Sequence, residues 1–131
     1  MSLDFRILTL TFLSPLLLFA TTDPSSALAL AFRNADAAAV SRQMEGNLNL
    51  TILDKEGNYS KTQATMLIRE FMEQHPVKTF TVQHTGSSTQ GSGYGIAEMT
   101  GTDGASYRVT FVFKKSGEQQ VLRELVITTT R

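Results

Sequence analysis

The sequence predicts an α+β fold, with two or three N-terminal helices packed on one curved antiparallel sheet. Three observations carry this expectation. Helix-start signals precede apolar residues at helical spacing, as at Asp23-Pro24 and at Ser60 with Gln63 three residues on. Apolar and polar residues alternate in several later stretches, the mark of half-buried strands. Short Gly/Ser/Asp turns join the last four of those stretches, and neighbours joined by short turns pair antiparallel.

Asp23 can cap the first free N–H groups of a helix, and Pro24 is tolerated in its first turn. Leu28, Ala31, Phe32 and Ala35 follow at helical spacing. Asn34 to Asp36 reads as a break, after which Asp36 caps a second short helix with Val40 and Met44 on its apolar side. Gly46 is expected at that helix's C-terminus. Leu48, Leu50 and Ile52 alternate with Asn47, Asn49 and Thr51 in a first strand, Asn47 to Leu53. Asp54 to Asn58 reads as a turn cluster. Ser60 to Gln63 opens a third helix carrying Ala64, Leu67, Ile68, Phe71 and Met72 on one face, and His75-Pro76 ends it.

Four strands are then expected: Thr79 to His84, Tyr94 to Thr100, Ser106 to Lys114 and Val121 to Thr128. Gly86 to Gly93 is the loop between the first two, and Thr102-Asp103-Gly104 carries a hairpin signal. Parity places Phe80, Val82 and His84 on one face, and Tyr107, Val109, Phe111 and Phe113 on one face. The element order is α-α-β-α-β-β-β-β.

The chain has 131 residues, which suits one domain, assigned here to residues 23–131. Twelve basic residues balance twelve acidic ones, which argues against nucleic acid as a partner because a phosphate backbone needs clustered Lys and Arg. The absence of cysteine excludes disulfides, thiolate nucleophiles and cysteine metal sites. Ile7 to Ala20 is an uncharged apolar run preceded by Arg6. It falls short of the roughly 20 apolar residues a stable membrane span needs. It fits the apolar region of a secretory signal peptide, so residues 1–22 are expected to be a signal and the domain to be exported, periplasmic or secreted. The alternative is a buried N-terminal element, although Pro15, Thr9 and Thr11 make a regular helix there poor.

From about Asp23 to Thr128 the chain resembles the nuclear transport factor 2-like superfamily, also called cystatin-like. Within it, the chain is similar to a family of short exported proteins of unknown function from Bacteroidota. The residues that carry the likeness are Leu50-Thr51-Ile52-Leu53-Asp54-Lys55-Glu56-Gly57-Asn58-Tyr59-Ser60-Lys61, Tyr107 to Lys115, and Glu124-Leu125-Val126-Ile127. These are packing and turn motifs rather than catalytic ones. The resemblance implies a cone, a long bent sheet whose concave face is covered by helices. The superfamily includes ketosteroid isomerase, scytalone dehydratase, polyketide cyclases and non-enzymatic binding modules, so the fold implies a pocket and no particular reaction.

No catalytic, cofactor or metal motif stands out. Two isolated histidines, His75 and His84, lack the clustered carboxylates of a metal site. His75 sits where an imidazolium favours a helix C-terminus. His84 is a candidate general base or a strand-end histidine. Glu98 shares a strand face with Tyr94. The hairpin register decides Glu124: a two-residue turn puts it on the Phe111 face and a three-residue loop puts it opposite, where it can pair with Arg108. Asn49-Leu50-Thr51 and Asn58-Tyr59-Ser60 match the N-glycosylation pattern.

The leading expectation is a binding or interaction module holding a small apolar ligand in the cone, lined by Phe71, Tyr94, Tyr107 and Phe111. One alternative is a small lyase or isomerase using Glu98, Glu124 or His84 for proton transfer. Another is a homodimer through the sheet's outer face, if Val112, Leu122 and Val126 share that side.

Overall fold

A computed structural model describes residues 23–130; the expected signal peptide lies outside the described residues. Three helices, α1 (Pro24–Arg33), α2 (Ala37–Ser41) and α3 (Lys61–Gln74), accompany six strands. The strands are β1 (Met44–Ile52), β2 (Lys55–Tyr59), β3 (Val77–Ser87), β4 (Gly93–Gly101), β5 (Ser106–Ser116) and β6 (Gln119–Thr129). They form one curved, unclosed sheet in the order β2-β1-β6-β5-β4-β3. Four pairings are antiparallel, as expected. The fifth, β1 with β6, is parallel, because the chain passes through α3 and four strands before returning beside β1.

The helix signals act where the sequence puts them. The Asp23 carboxylate accepts from Ser25 N–H at 3.4 Å, Asp36 from Ala39 N–H at 3.0 Å, and Ser60 Oγ from Gln63 N–H at 3.2 Å. Helix α1 stops with Ala35 in the left-handed region at φ 50. There Asp36 N–H donates to Ala31 O and Ala35 N–H to Phe32 O, which closes the last turn in a Schellman pattern. Gly46 lies in β1 at φ +79 rather than at a helix end, since α2 closes at Ser41 and Met44 already pairs with Leu122 of β6.

Four strand details depart from the sequence reading. Lys55 to Tyr59 is a strand, not a turn, and the reversal is made by Leu53-Asp54 alone. Strand β3 runs on to Ser87 and skips a residue of register at Gln83. That bulge turns His84 to the outer face, opposite Ile96, while Phe80 and Val82 face inward. The β5–β6 turn is the two-residue Gly117-Glu118, which alone would point Glu124 inward. The same turn puts Leu122 inside against Phe113, and a bulge at Arg123 then reverses the parity, so that Glu124 pairs with Val112 on the outer face.

The core lies between the helices and the inner sheet face. Leu28 and Phe32 of α1, Val40 of α2, and Ala64, Ile68, Phe71 and Met72 of α3 pack on Leu48, Leu50, Phe80, Met99, Val109, Phe111, Phe113, Leu125 and Ile127. Arg33 Nε ties α1 to the sheet by donating to Phe80 O at 2.9 Å.

Candidate functional site

Under α1 the inner face is filled. Phe32 stacks on Phe80 with centroids 4.8 Å apart. Phe111 lies over Gly95, its partner across β4–β5, so closely that a Cβ on Gly95 would sit 2.2 Å from the ring. Phe113 meets Phe111 edge-on at 5.7 Å. A strand glycine opposite an aromatic ring is thus a packing device that lets the ring cross the sheet surface.

The other half is different. Between α3 and the β1–β2 hairpin a cleft of about 120 Å³ remains, walled by Leu50, Ile52, Tyr59, Leu67 and Phe71. Strand β1 presents aliphatic side chains here, and β2 ends the sheet after five residues. Tyr59 is the one bulky side chain that β1 and β2 bring to the cleft. Leu53 closes one end of the cleft. It holds φ 57, a conformation that costs a branched side chain about 1 kcal/mol or more, and its N–H is anchored to Ile127 O at 2.8 Å. Asp54, Lys55, Glu70 and Gln74 form the polar mouth. A shallow groove continues along α3 past Met66, which is 62% exposed.

At the C-terminal end of α3, Phe71, His75 and Tyr107 cluster. Phe71 meets Tyr107 edge-on at 5.5 Å and lies 4.7 Å from the His75 ring. Tyr107 Oη and His75 Nδ1 are 2.9 Å apart; with neutral histidine, the phenol donates to Nδ1. Burial pushes the Tyr107 hydroxyl above the usual phenol value, and the negative charge of Asp103 adds to that. Its structural role is to satisfy a polar tip inside an apolar wall.

Of the four residues expected to line the cone, Phe71 lines the cleft. Tyr107 and Phe111 are buried packing residues outside it. Tyr94 is 48% exposed on the outer face, its ring laid over Gly86 across β3–β4. The three expected proton-transfer groups all sit on the outer face as well. Glu98 accepts from Gln83 Nε2 at 2.8 Å, Glu124 lies opposite Val112, and His84 opposite Ile96. Arg108 stands across from Glu98 rather than Glu124. The outer face also carries an amide ladder, Asn47 to Asn58 at 2.8 Å and Asn58 to Asn49 at 2.7 Å, which covers both glycosylation-pattern asparagines. Sequence reasoning missed the aliphatic walls Leu50, Ile52 and Leu67 and the mouth residues Asp54 and Lys55. Their legible signals were the Leu50/Ile52 alternation on β1 and the Leu67/Phe71 spacing on α3.

Among the described residues, no group of three His, Cys, Asp or Glu could hold a metal ion, and no helix is long and apolar enough to cross a membrane. Residues 25–128 match a family described as a domain of unknown function, DUF4783. A DUF4783 protein from Bacteroides ovatus is similar over 81% of this chain and 94% of its own, at 25% identity and a TM-score of 0.75. One from Bacteroides uniformis is similar over 83% and 99%, at 22% identity and a TM-score of 0.77. An uncharacterised protein with a cystatin-like fold from Caulobacter vibrioides shares the fold over 82% and 84%, at 10% identity and a TM-score of 0.63. No curated protein matches.

Proposed function

The chain belongs to the DUF4783 family, and we propose that it is an exported, non-catalytic binding module that takes one small apolar group into the cleft between α3 and the β1–β2 hairpin. One observation carries the reading: an apolar-walled space of about 120 Å³ stays open beside an inner face otherwise closed by aromatic packing. Apolar cavities of about 150 Å³ admit a benzene-sized guest. This space therefore suits a branched aliphatic group or a small ring. Export is proposed from the apolar run before Thr21. Glu98, Glu124 and His84 lie on the far face of the sheet, and the carboxylates at the cleft mouth, Asp54 and Glu70, are exposed to water, which favours binding over proton transfer.

The test is native mass spectrometry of protein from the exported fraction, beside a Leu67→Trp variant whose indole fills the cleft. A chain starting near Thr21 with a bound mass that Leu67→Trp loses is the expected result. An intact N-terminus would sink the export reading. A bound mass retained by Leu67→Trp would place the ligand elsewhere.

A second reading, a homodimer through the outer face, rests on one feature. Ile96, Val112 and Val126 are half-buried neighbours there beside exposed Tyr94. Leu122, expected among them, lies inside. Sedimentation of Val126→Glu tests this: dissociation of a dimer supports it, and a monomeric parent removes it.

A further inference from the structure

We infer that the cleft takes a zwitterion, a free α-amino acid whose aliphatic side chain is about the size of valine or leucine. The inference rests on the binding reading above and adds the ligand's chemistry. Of the walls, Leu50, Ile52, Leu67 and Phe71 offer no polar side-chain atom and Tyr59 offers one hydroxyl, so the buried part of the ligand is mainly hydrocarbon. The space of about 120 Å³ suits a side chain of that size.

The mouth carries both signs of charge. Lys55 supplies an ammonium, and Asp54 and Glu70 supply carboxylates. The one ion pair found among the described residues is Arg42–Asp36 at 3.8 Å, so these three groups stand around the mouth without pairing one another within 4 Å. Gln74 Nε2 donates to Glu70 Oε1 at 3.3 Å, which fixes one oxygen of Glu70 and leaves the other. A ligand with only an amine would meet the two carboxylates and leave Lys55 unanswered. A ligand with only a carboxylate would answer Lys55 and face two like charges. A zwitterion answers all three, with its side chain directed between α3 and β1.

The placement of Lys55 supports this. It pairs with Ile52, so it stands on the inner side of an edge strand, beside the apolar wall. An inward lysine on a sheet edge also guards against edge-to-edge pairing. The two roles predict different losses: the guard role affects the oligomeric state, and the ligand role affects affinity.

Calorimetric titration of the full chain with L-leucine, 3-methylbutylamine, 4-methylpentanoate and 3-methylbutanol decides the matter. The expected result is that L-leucine binds about tenfold or more tightly than 3-methylbutanol, which lacks all three rim-exposed charge contacts, and severalfold more tightly than each singly charged analogue. Lys55→Gln should reduce leucine affinity about two- to fivefold and leave 3-methylbutylamine no weaker. Asp54→Asn with Glu70→Gln should weaken leucine and spare 4-methylpentanoate. Equal binding of all four compounds would overturn the zwitterion and leave the apolar cleft standing. Binding of none would overturn both. Unchanged leucine affinity in Lys55→Gln, with a shift to larger species in sedimentation, would assign Lys55 to guarding the edge and overturn its part in recognition.

Discussion

The two halves of the inner sheet face are built from the same alternating strands, yet one is closed and the other open. Under α1, strands β3, β4 and β5 present Phe80, Met99, Phe111 and Phe113, and the glycine at position 95 lets the Phe111 ring lie flat on the sheet. Under α3, strands β1 and β2 present Leu48, Leu50, Ile52 and a half-buried Tyr59, and space remains. Side-chain reach accounts for the contrast. An aromatic ring spans the gap between sheet and helix, whereas an aliphatic side chain leaves part of it. The length of the edge strands adds to this. Strand β3 offers 11 residues at its edge and β2 only five, so the sheet ends early beneath α3. The closed half supplies the cohesion that lets the open half keep a void.

The sharpest way to break this comparison is to truncate one residue in each half. Phe111→Ala removes a fully buried ring from the closed half and should cost about 3–5 kcal/mol. Leu67→Ala removes a half-buried side chain that already borders empty space, and should cost about 1 kcal/mol. Urea unfolding measures both. Equal losses would mean that the two halves are packed alike.

Adding a methyl group gives a smaller and more discriminating contrast. Gly95→Ala places a Cβ 2.2 Å from the Phe111 ring, whose neighbours leave it nowhere to go, and should cost about 1–3 kcal/mol. Gly57→Ala places a Cβ 3.1 Å from the Tyr59 ring, which can swing into the cleft. Its clash is therefore relieved, and the reduced freedom of the unfolded chain offsets the remainder, so stability should change by less than about 1 kcal/mol. A loss at Gly57 as large as at Gly95 would show that Tyr59 is held as rigidly as Phe111.

The sequence was most legible where the signal is local. Asp23-Pro24, Asp36 and Ser60 start helices because a side-chain oxygen reaches N–H groups two or three residues away. Leu48, Leu50 and Ile52 are buried because alternation puts them on one face. The strand β2 was hidden because Lys55, Glu56, Gly57 and Asn58 have the composition of a turn, and the real turn uses a leucine where glycine is the usual choice. The bulges at Gln83 and Arg123 left no mark in a period-two pattern, yet each moves residues across the sheet, and together they send His84 and Glu124 outward. The β1–β6 pairing joins residues more than seventy positions apart, beyond the reach of any local rule. The candidate site was hard to read for the same reasons. Its walls come from β1, β2 and α3, and its mouth is made by the hairpin that looked like a loop.

The smallest expected effect tests the boundary between the halves, where Tyr107 leans on Phe71 and bonds to His75. Tyr107→Phe keeps the ring and deletes one hydrogen bond to a half-exposed imidazole that water can still reach, so it should cost about 0.5–1.5 kcal/mol at neutral pH. The pH dependence is more specific. Burial, then Asp103, raises the folded-state pKa of the Tyr107 hydroxyl above its unfolded value of about 10. The folded state thus keeps a proton that the unfolded chain gives up in alkali. The stability linked to Tyr107 is fully present below about pH 10 and is lost as pH rises through the folded-state value. The parent should therefore lose stability above about pH 10 more steeply than Tyr107→Phe, and the lysines common to both cancel in the difference. Parallel slopes would mean that the phenol is as wet in the folded chain as in the unfolded one. The wall between the closed core and the cleft would then be open to solvent, and the cleft would extend towards the aromatic half of the sheet.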